Sequence, residues 1–233
     1  MKQQWNLGDF IKEQLSHVCT LRAEDIGADA RLAKRGMVFE TEAYTLDDLG
    51  HLCVLRMRAP LGLMSMETVV LSCTHKDVPL FNLDRARVPG GETAIAELYD
   101  TQLTPWPQNA QEDFTRIKVR YADVADAAAT GAHWFDAVLY PCSFHKTGRG
   151  VSARLSEASE EYVRAFLAQM ETAEACDAEA KQAKVRAFAE RLFAEGGPAV
   201  DQVTKLFGME IAERLILRHM YGVGSVKTEE EKQ

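Results

Sequence analysis

Two acids and an amide interrupt stretches that otherwise read as buried β-strands. Glu67 is the only charged residue in a long apolar run, and Asn82 and Asp84 follow a second apolar segment. A carboxylate in such a strand is costly unless it meets a cation or a polar cavity. Because side chains alternate along a strand, Asn82 and Asp84 share one face. Arg85 and Arg87 lie on the other. The pattern therefore fits either an acid-lined cavity or an ordinary ion-paired surface.

A basic segment and a lone histidine are further candidates for ligand binding. His145, Lys146 and Arg149 belong to the segment His-Lys-Thr-Gly-Arg-Gly, which follows an apolar run and is predicted to be a loop. The cationic side chains and backbone N–H groups of such a loop can hold a carboxylate or a phosphate. His75 lies in a predicted turn. Alone, each of these residues is equally typical of a solvated surface.

The common cofactor motifs do not occur in this sequence. There is no glycine-rich dinucleotide motif, no P-loop, no serine nucleophile elbow and no HExxH zinc motif. The five cysteines are widely spaced and form no CxxC pair, which favours buried reduced thiols in a reducing compartment. We therefore expect neither a metal nor a bound cofactor.

Composition indicates a globular protein outside the membrane. Of 233 residues, 46% are hydrophobic and 27% are charged, and the net charge is −8. This acidity argues against nucleic acid and anionic membranes as partners. No apolar run approaches the roughly 20 residues that span a bilayer, and the N-terminus lacks a hydrophobic signal region. We expect a cytoplasmic protein with one domain over residues 1–224 and a disordered polar tail over 225–233.

Five segments predict strands that follow one another through short turns, without intervening helices: 37–44, 51–58, 63–73, 79–88 and 92–99. Such an order favours an antiparallel meander. A sixth strand is predicted at 134–144. Helical periodicity predicts one helix at 7–19 and another at 111–129. Three more helices follow: one that begins at a cap, Ser156 or Ser159, one that ends at Gly196, and one that runs to about His219 with a break at Gly208. The predicted fold class is α+β, with helices able to cover both faces of the sheet.

Several blocks of the sequence resemble the ferredoxin-dependent bilin reductases, which are relatives of red chlorophyll catabolite reductase. The family pattern D-[LV]-P-[IM]-F-G-x-D is matched at its own spacing, with Asn82 in place of the glycine, by Asp77, Pro79, Phe81 and Asp84. Similar blocks follow in the family's order at 94–98, 134–146 and 205–214. The resemblance covers roughly residues 50–220.

The resemblance implies an α/β/α sandwich that binds a linear tetrapyrrole between the sheet and the C-terminal helices. The family uses no flavin, nicotinamide or metal, and adds single electrons from ferredoxin in alternation with protons from side chains. Asp84 stands at the position of the family's central proton-donating aspartate, and Glu67 stands where one branch has a catalytic histidine. We therefore expect Asp84 and Glu67 to be catalytic. The expected substrate-binding residues are Asn82, His75, His145, Lys146 and Arg149.

The chain also departs from the family, which leaves other functions open. The family has a glutamate on the preceding strand, and this chain has Leu55 or Arg56 at that position instead. The family also has an Asn-Asp-Lys segment that could contact a propionate, and residues 195–198 replace it here. A non-catalytic carrier of haem or a bilin is the alternative, and a helper protein that binds another protein is a third. Ferredoxin or flavodoxin would be the electron donor. Arg116, Lys118 and Arg120 either form a local basic patch for its docking or are an ordinary solvated surface.

Overall fold

The computed structural model, which describes residues 6–128 and 131–224, is built around an eight-stranded antiparallel sheet. The strand order is β1-β3-β4-β5-β6-β7-β8, and β2 also pairs with β3. The strands are β1 (Leu21–Ala23), β2 (Arg31–Lys34), β3 (Met37–Leu46), β4 (Gly50–Arg58), β5 (Ser65–Cys73), β6 (Leu80–Val88), β7 (Gly91–Tyr99) and β8 (Phe144–Gly148).

Helices cover both faces of this sheet. The face that we call the N-terminal face packs against α1 (Leu7–Ser16), α2 (Gln108–Arg120) and α3 (Ser152–Thr172). The opposite, C-terminal face packs against α4 (Ala178–Glu195), α5 (Pro198–Phe207), α6 (Met209–Glu213) and the π-helical α7 (Arg214–Met220). The architecture is therefore the three-layer α/β/α sandwich expected from the sequence.

Strand alternation divides the hydrophobic core into two layers. On β5, Val69 contributes to the N-terminal layer and Val70 to the C-terminal layer. On β6, Phe81 belongs to the first layer and Leu80 to the second. Because the period is two, Asn82 and Asp84 share the face of Leu80 and point toward α4–α7. Asn82 and Asp84 therefore lie on the face of the sheet that the C-terminal helices cover.

The five meander strands, the N-terminal helix, the end of α4 before Gly196 and the break at Gly208 are confirmed within a few residues. The predicted strand 134–144 is wrong. Its first half is a 3-10 helix (Trp134–Val138), and the strand itself begins only at Phe144. The apolar residues of this segment pack against the C-terminal layer from outside the sheet, and Pro141 cannot donate a ladder hydrogen bond.

Three other local predictions are wrong. The predicted helix 111–129 ends earlier, at Arg120, and α3 begins at Ser152, ahead of both proposed caps. Most of the predicted loop 145–150 is strand β8. The proposed tail 225–233 lies outside the described residues, and the single domain over 1–224 stays a prediction. No helix in the described part of the chain is long and apolar enough to cross a membrane.

Candidate functional site

Asp84 lies half-buried in the middle of β6, and no Lys or Arg among the described residues is paired with its carboxylate. Thr68, its neighbour across the β5–β6 ladder, donates a short hydrogen bond to Oδ1. Asn82 Nδ2 lies 3.3 Å from Oδ2. Burial raises the pKa of Asp84 to about 7, aided by the negative charge of Glu97 and opposed by the hydrogen bond from Thr68. Asp84 can therefore hold a proton near neutral pH and donate it within the layer below α4–α7.

A second carboxylate stands next to Asp84 on the following strand. Glu97 of β7 faces Asn82 across the ladder, and Asn82 Nδ2 lies 3.3 Å from Glu97 Oε2 as well. The Tyr99 hydroxyl donates to the same oxygen at 2.6 Å. His145 Nε2 of β8 lies 3.2 Å from the other carboxylate oxygen, Oε1. Burial would raise the pKa of Glu97, but these three partners outweigh it and the pKa lies below its usual value.

Polar atoms on this side of the sheet are buried without a protein partner among the described residues. On the sheet they include Thr41 Oγ1, Ser72 Oγ and Asn82 Oδ1. The covering segments add Trp134 Nε1 and Thr204 Oγ1. Each such group costs free energy when it is buried alone, and most buried polar groups in proteins are paired. Their concentration here suits a layer that exchanges hydrogen bonds with a bound molecule.

The C-terminal layer is otherwise filled by aromatic and aliphatic side chains. Tyr99 packs against Phe188 of α4, with ring centroids 4.7 Å apart, and Phe188 in turn contacts Tyr221 just after α7. Three cavities of about 280, 500 and 360 Å³ open elsewhere on the surface, and Asp84 lines none of these three. None of these three cavities therefore gives access to Asp84.

Glu67 points to the opposite face from Asp84, so the expectation that both acids line one cleft is wrong. Its carboxylate accepts hydrogen bonds from the Leu7 and Gly8 backbone N–H groups, at 2.8 and 3.1 Å, where α1 begins. Arg56 Nε donates to it at 2.8 Å. The positive end of the helix and the guanidinium together compensate the charge. Glu67 thus anchors α1 to the sheet.

A dense ion network extends this anchor along β3 and β4. Arg56 also donates to Glu42 through Nη1, and Lys12 Nζ lies 2.7 Å from Glu42 Oε2. Burial tends to raise the pKa of Glu42, but Lys12, Tyr44 and Arg56 lower it to about 2. Glu42 is therefore held as an anion.

Of the other predicted binding residues, Asn82 lies beside Asp84, and His145 lies two strands away on the same face, where it contacts Glu97. Lys146 faces the N-terminal side of the sheet and pairs with Asp126 at 2.7 Å. Arg149 lies past the end of β8 and donates to Gly90 O at 2.6 Å. His75 is exposed in the turn after β5, at the far end of the sheet. Lys146 and Arg149 are not brought to the site, because the strand assumed to end at 144 in fact begins there. His75 is remote from the site because its turn lies at the opposite end of β5.

Glu97 and Tyr99 are the residues that sequence reasoning missed as members of the site. Glu97 is a lone charge in the segment Ala-Ile-Ala-Glu-Leu-Tyr, and that is the same signal that singled out Glu67 and Asp84. Alternation along β7 places Glu97 and Tyr99 on one face, and the meander register then brings both beside Asn82.

The basic patch on α2 is partly neutralised by its own neighbours. Arg116 pairs with Asp113, Arg120 Nη1 lies 2.7 Å from Glu161, and Lys118 Nζ donates to the Pro141 carbonyl at 2.8 Å.

Among the described residues, no group of three or more His, Cys, Asp or Glu side chains is arranged to hold a metal ion.

The fold and the site together define an α/β/α sandwich with a proton-holding carboxyl between its sheet and C-terminal helices. No protein-family model matches the chain, and no curated protein matches its sequence. Among solved structures, the chain is similar to phytochromobilin synthase from tomato, determined in complex with biliverdin. The TM-score is 0.72 at 12% sequence identity, over 93% of this chain and 81% of that one. This likeness shows a shared fold.

Proposed function

We propose that the protein binds a linear tetrapyrrole between the C-terminal face of the sheet and α4–α7, and reduces it with Asp84 as proton donor. The observation that carries the proposal is the desolvated Asp84 carboxyl, which has a pKa of about 7 and, among residues 6–128 and 131–224, no Lys or Arg paired with it. The structurally similar phytochromobilin synthase was solved with biliverdin. The unpartnered polar atoms of the same layer would supply hydrogen bonds to a pigment's nitrogens, oxygens and propionates.

The reaction adds two electrons and two protons across one pigment double bond. A one-electron donor, ferredoxin or flavodoxin, supplies the electrons in two steps. Asp84 supplies one proton through the oxygen that now contacts Asn82, and water supplies the other. Asp84 then regains a proton from solvent before the next turnover. Asn82 orients the Asp84 carboxyl, and Asn82 and His145 orient the pigment. Glu67 has no part in this chemistry, because Arg56 and the N-terminus of α1 occupy it on the other face.

The first experiment titrates the protein with biliverdin and follows the visible spectrum, then adds reduced ferredoxin without oxygen. We expect saturable binding and a blue-shifted product. Asp84→Asn should bind the pigment but reduce it at least about 100-fold more slowly, which is typical for loss of a general acid. Glu67→Gln is the matched comparison and should keep most of the activity. Binding without any reduction by the unaltered protein would overturn the enzymatic proposal.

A non-catalytic tetrapyrrole carrier is the second candidate. It is favoured by the position of Glu67, since the family-like pair of acids is reduced to Asp84 on the pigment side. A carrier would give a stable bound spectrum that reduced ferredoxin leaves unchanged, for biliverdin or for haem. The anaerobic experiment therefore separates the two functions in one cuvette.

A further inference from the structure

Asn82 links the two carboxylates of the C-terminal face. Its amide group lies 3.3 Å from Asp84 Oδ2 on one side and 3.3 Å from Glu97 Oε2 on the other. An amide NH₂ carries two hydrogens, so it can donate to both carboxylates at once. The two acids therefore share one donor in a buried layer, where a second negative charge is unfavourable.

The surroundings of the two acids are unequal. Glu97 receives the Tyr99 hydroxyl at 2.6 Å and lies 3.2 Å from His145 Nε2, whose side chain is 38% exposed. From the described part of the chain, Asp84 receives the Thr68 hydroxyl and its share of Asn82. A single negative charge on the pair is consequently more stable on Glu97, and the single proton is more stable on Asp84.

The groups that face Asp84 from neighbouring elements agree with this division. Thr68 of β5 is neutral, Tyr99 of β7 is already donating to Glu97, and Tyr221 after α7 is a buried phenol whose pKa burial raises further. The electrostatic effect of His145 on Asp84 is smaller than that of burial or of Glu97. Glu97 is therefore the neighbouring charge that favours a protonated Asp84.

We propose that Glu97 is a positioning residue for Asp84: its carboxylate, held by Tyr99 and His145, keeps the transferable proton on Asp84. The inference deepens the proposed function and rests on it for its role in catalysis. Its physical content, the coupling of two carboxyls through Asn82, belongs to the protein without any pigment. In turnover, ionised Glu97 would set the upper pH limit of activity, because Asp84 donates only while it is protonated.

The test measures the ionisation of Asp84 in the pigment-free protein. Infrared spectroscopy follows the C=O stretch of its protonated carboxyl against pH, and the band is assigned by its loss in Asp84→Asn. In Glu97→Gln, the pH of half-protonation should fall by about one unit, as expected when a nearby like charge is removed. Glu92→Gln is the control, because Glu92 lies on the same strand but on the N-terminal face, paired with Arg85 and Arg87. It should leave the band unchanged.

A second variant guards against misfolding of Glu97→Gln. His145→Gln keeps both carboxyls but weakens the hold on the Glu97 charge, so the first ionisation of the pair should move to higher pH. If Asp84 titrates at the same pH in Glu97→Gln and in the unaltered protein, or if His145→Gln leaves the pair's titration unchanged, the inference is overturned. Neither result requires reduction of biliverdin, so a failure of the proposed function is recognised separately. If reduction is observed, the alkaline limb of its pH profile should shift with the infrared value.

Discussion

Glu67 and Asp84 lie on adjacent strands, one ladder position apart, yet the sheet separates them into opposite electrostatic environments. Across the β5–β6 ladder, Thr68 is opposite Asp84, and Glu67 is opposite Arg85. Glu67 looks toward α1 and meets a guanidinium and two backbone N–H groups. Asp84 looks toward α4–α7 and meets one hydroxyl and one shared amide. The two faces differ in charge compensation rather than in the residue type they present.

The comparison shows which buried acid is suited to chemistry. A carboxylate that contacts a cation and hydrogen-bond donors is stabilised in its ionised form and does not bind a proton readily. A desolvated carboxylate without a cation pays for ionisation, so its proton is available near neutral pH. By this criterion the N-terminal face is a structural anchor, and the C-terminal face carries the candidate site.

The largest effect on stability should come from removing the cation of the anchor. Arg56→Met leaves Glu67 and Glu42 buried without their shared guanidinium, and we expect a loss of about 3 kcal/mol in the free energy of unfolding, measured by urea denaturation. Arg58→Met is the matched control, because Arg58 lies on the same strand and face, is 55% exposed and pairs with Glu40. It should cost less than about 1 kcal/mol. Equal losses would show that the anchor has no special role.

Asp84→Asn should stabilise the protein at alkaline pH. An unfolded aspartate titrates near pH 4 and the folded Asp84 near pH 7, so stability falls as the pH rises through this window. A three-unit shift corresponds to about 4 kcal/mol, and a half-buried carboxyl should deliver about half of that. The variant should therefore exceed the unaltered protein by about 2 kcal/mol at pH 8 and by almost nothing at pH 4. A difference independent of pH in urea denaturation would contradict the raised pKa.

The sequence predicts one half of this contrast and misses the other for a physical reason. On β6, apolar residues alternate with Asn82 and Asp84, so the face of the pair follows from the period of two. On β5, Val69, Val70 and Leu71 are buried on both sides of the sheet, so the strand offers no alternation from which the direction of Glu67 could be inferred. Its direction depends on the register with β6, which is a tertiary property.

The prediction of a strand at 134–144 is wrong for a different reason. The apolar run from Trp134 onward reads as a strand, but its side chains pack as a 3-10 segment against the outside of the C-terminal layer. Its hydrophobicity reflects partial burial against that layer and carries no period that separates a strand from a 3-10 helix. The true strand is short and polar, Phe144–Gly148, and pairing with β7 creates it. His145 consequently reaches the site from a strand and not from a loop.

The smallest effect, but the one that tests the contrast most directly, is the acid-to-amide change on the other face. Glu67→Gln removes the charge that Arg56 and the start of α1 compensate, so the protein should lose about 1 kcal/mol at pH 8. This is opposite in sign to Asp84→Asn. Glu40→Gln, at a more exposed acid of β3, should change stability by less than about 0.5 kcal/mol. If both buried acids gave changes of the same sign in urea denaturation, the two faces would not differ electrostatically as their contacts indicate.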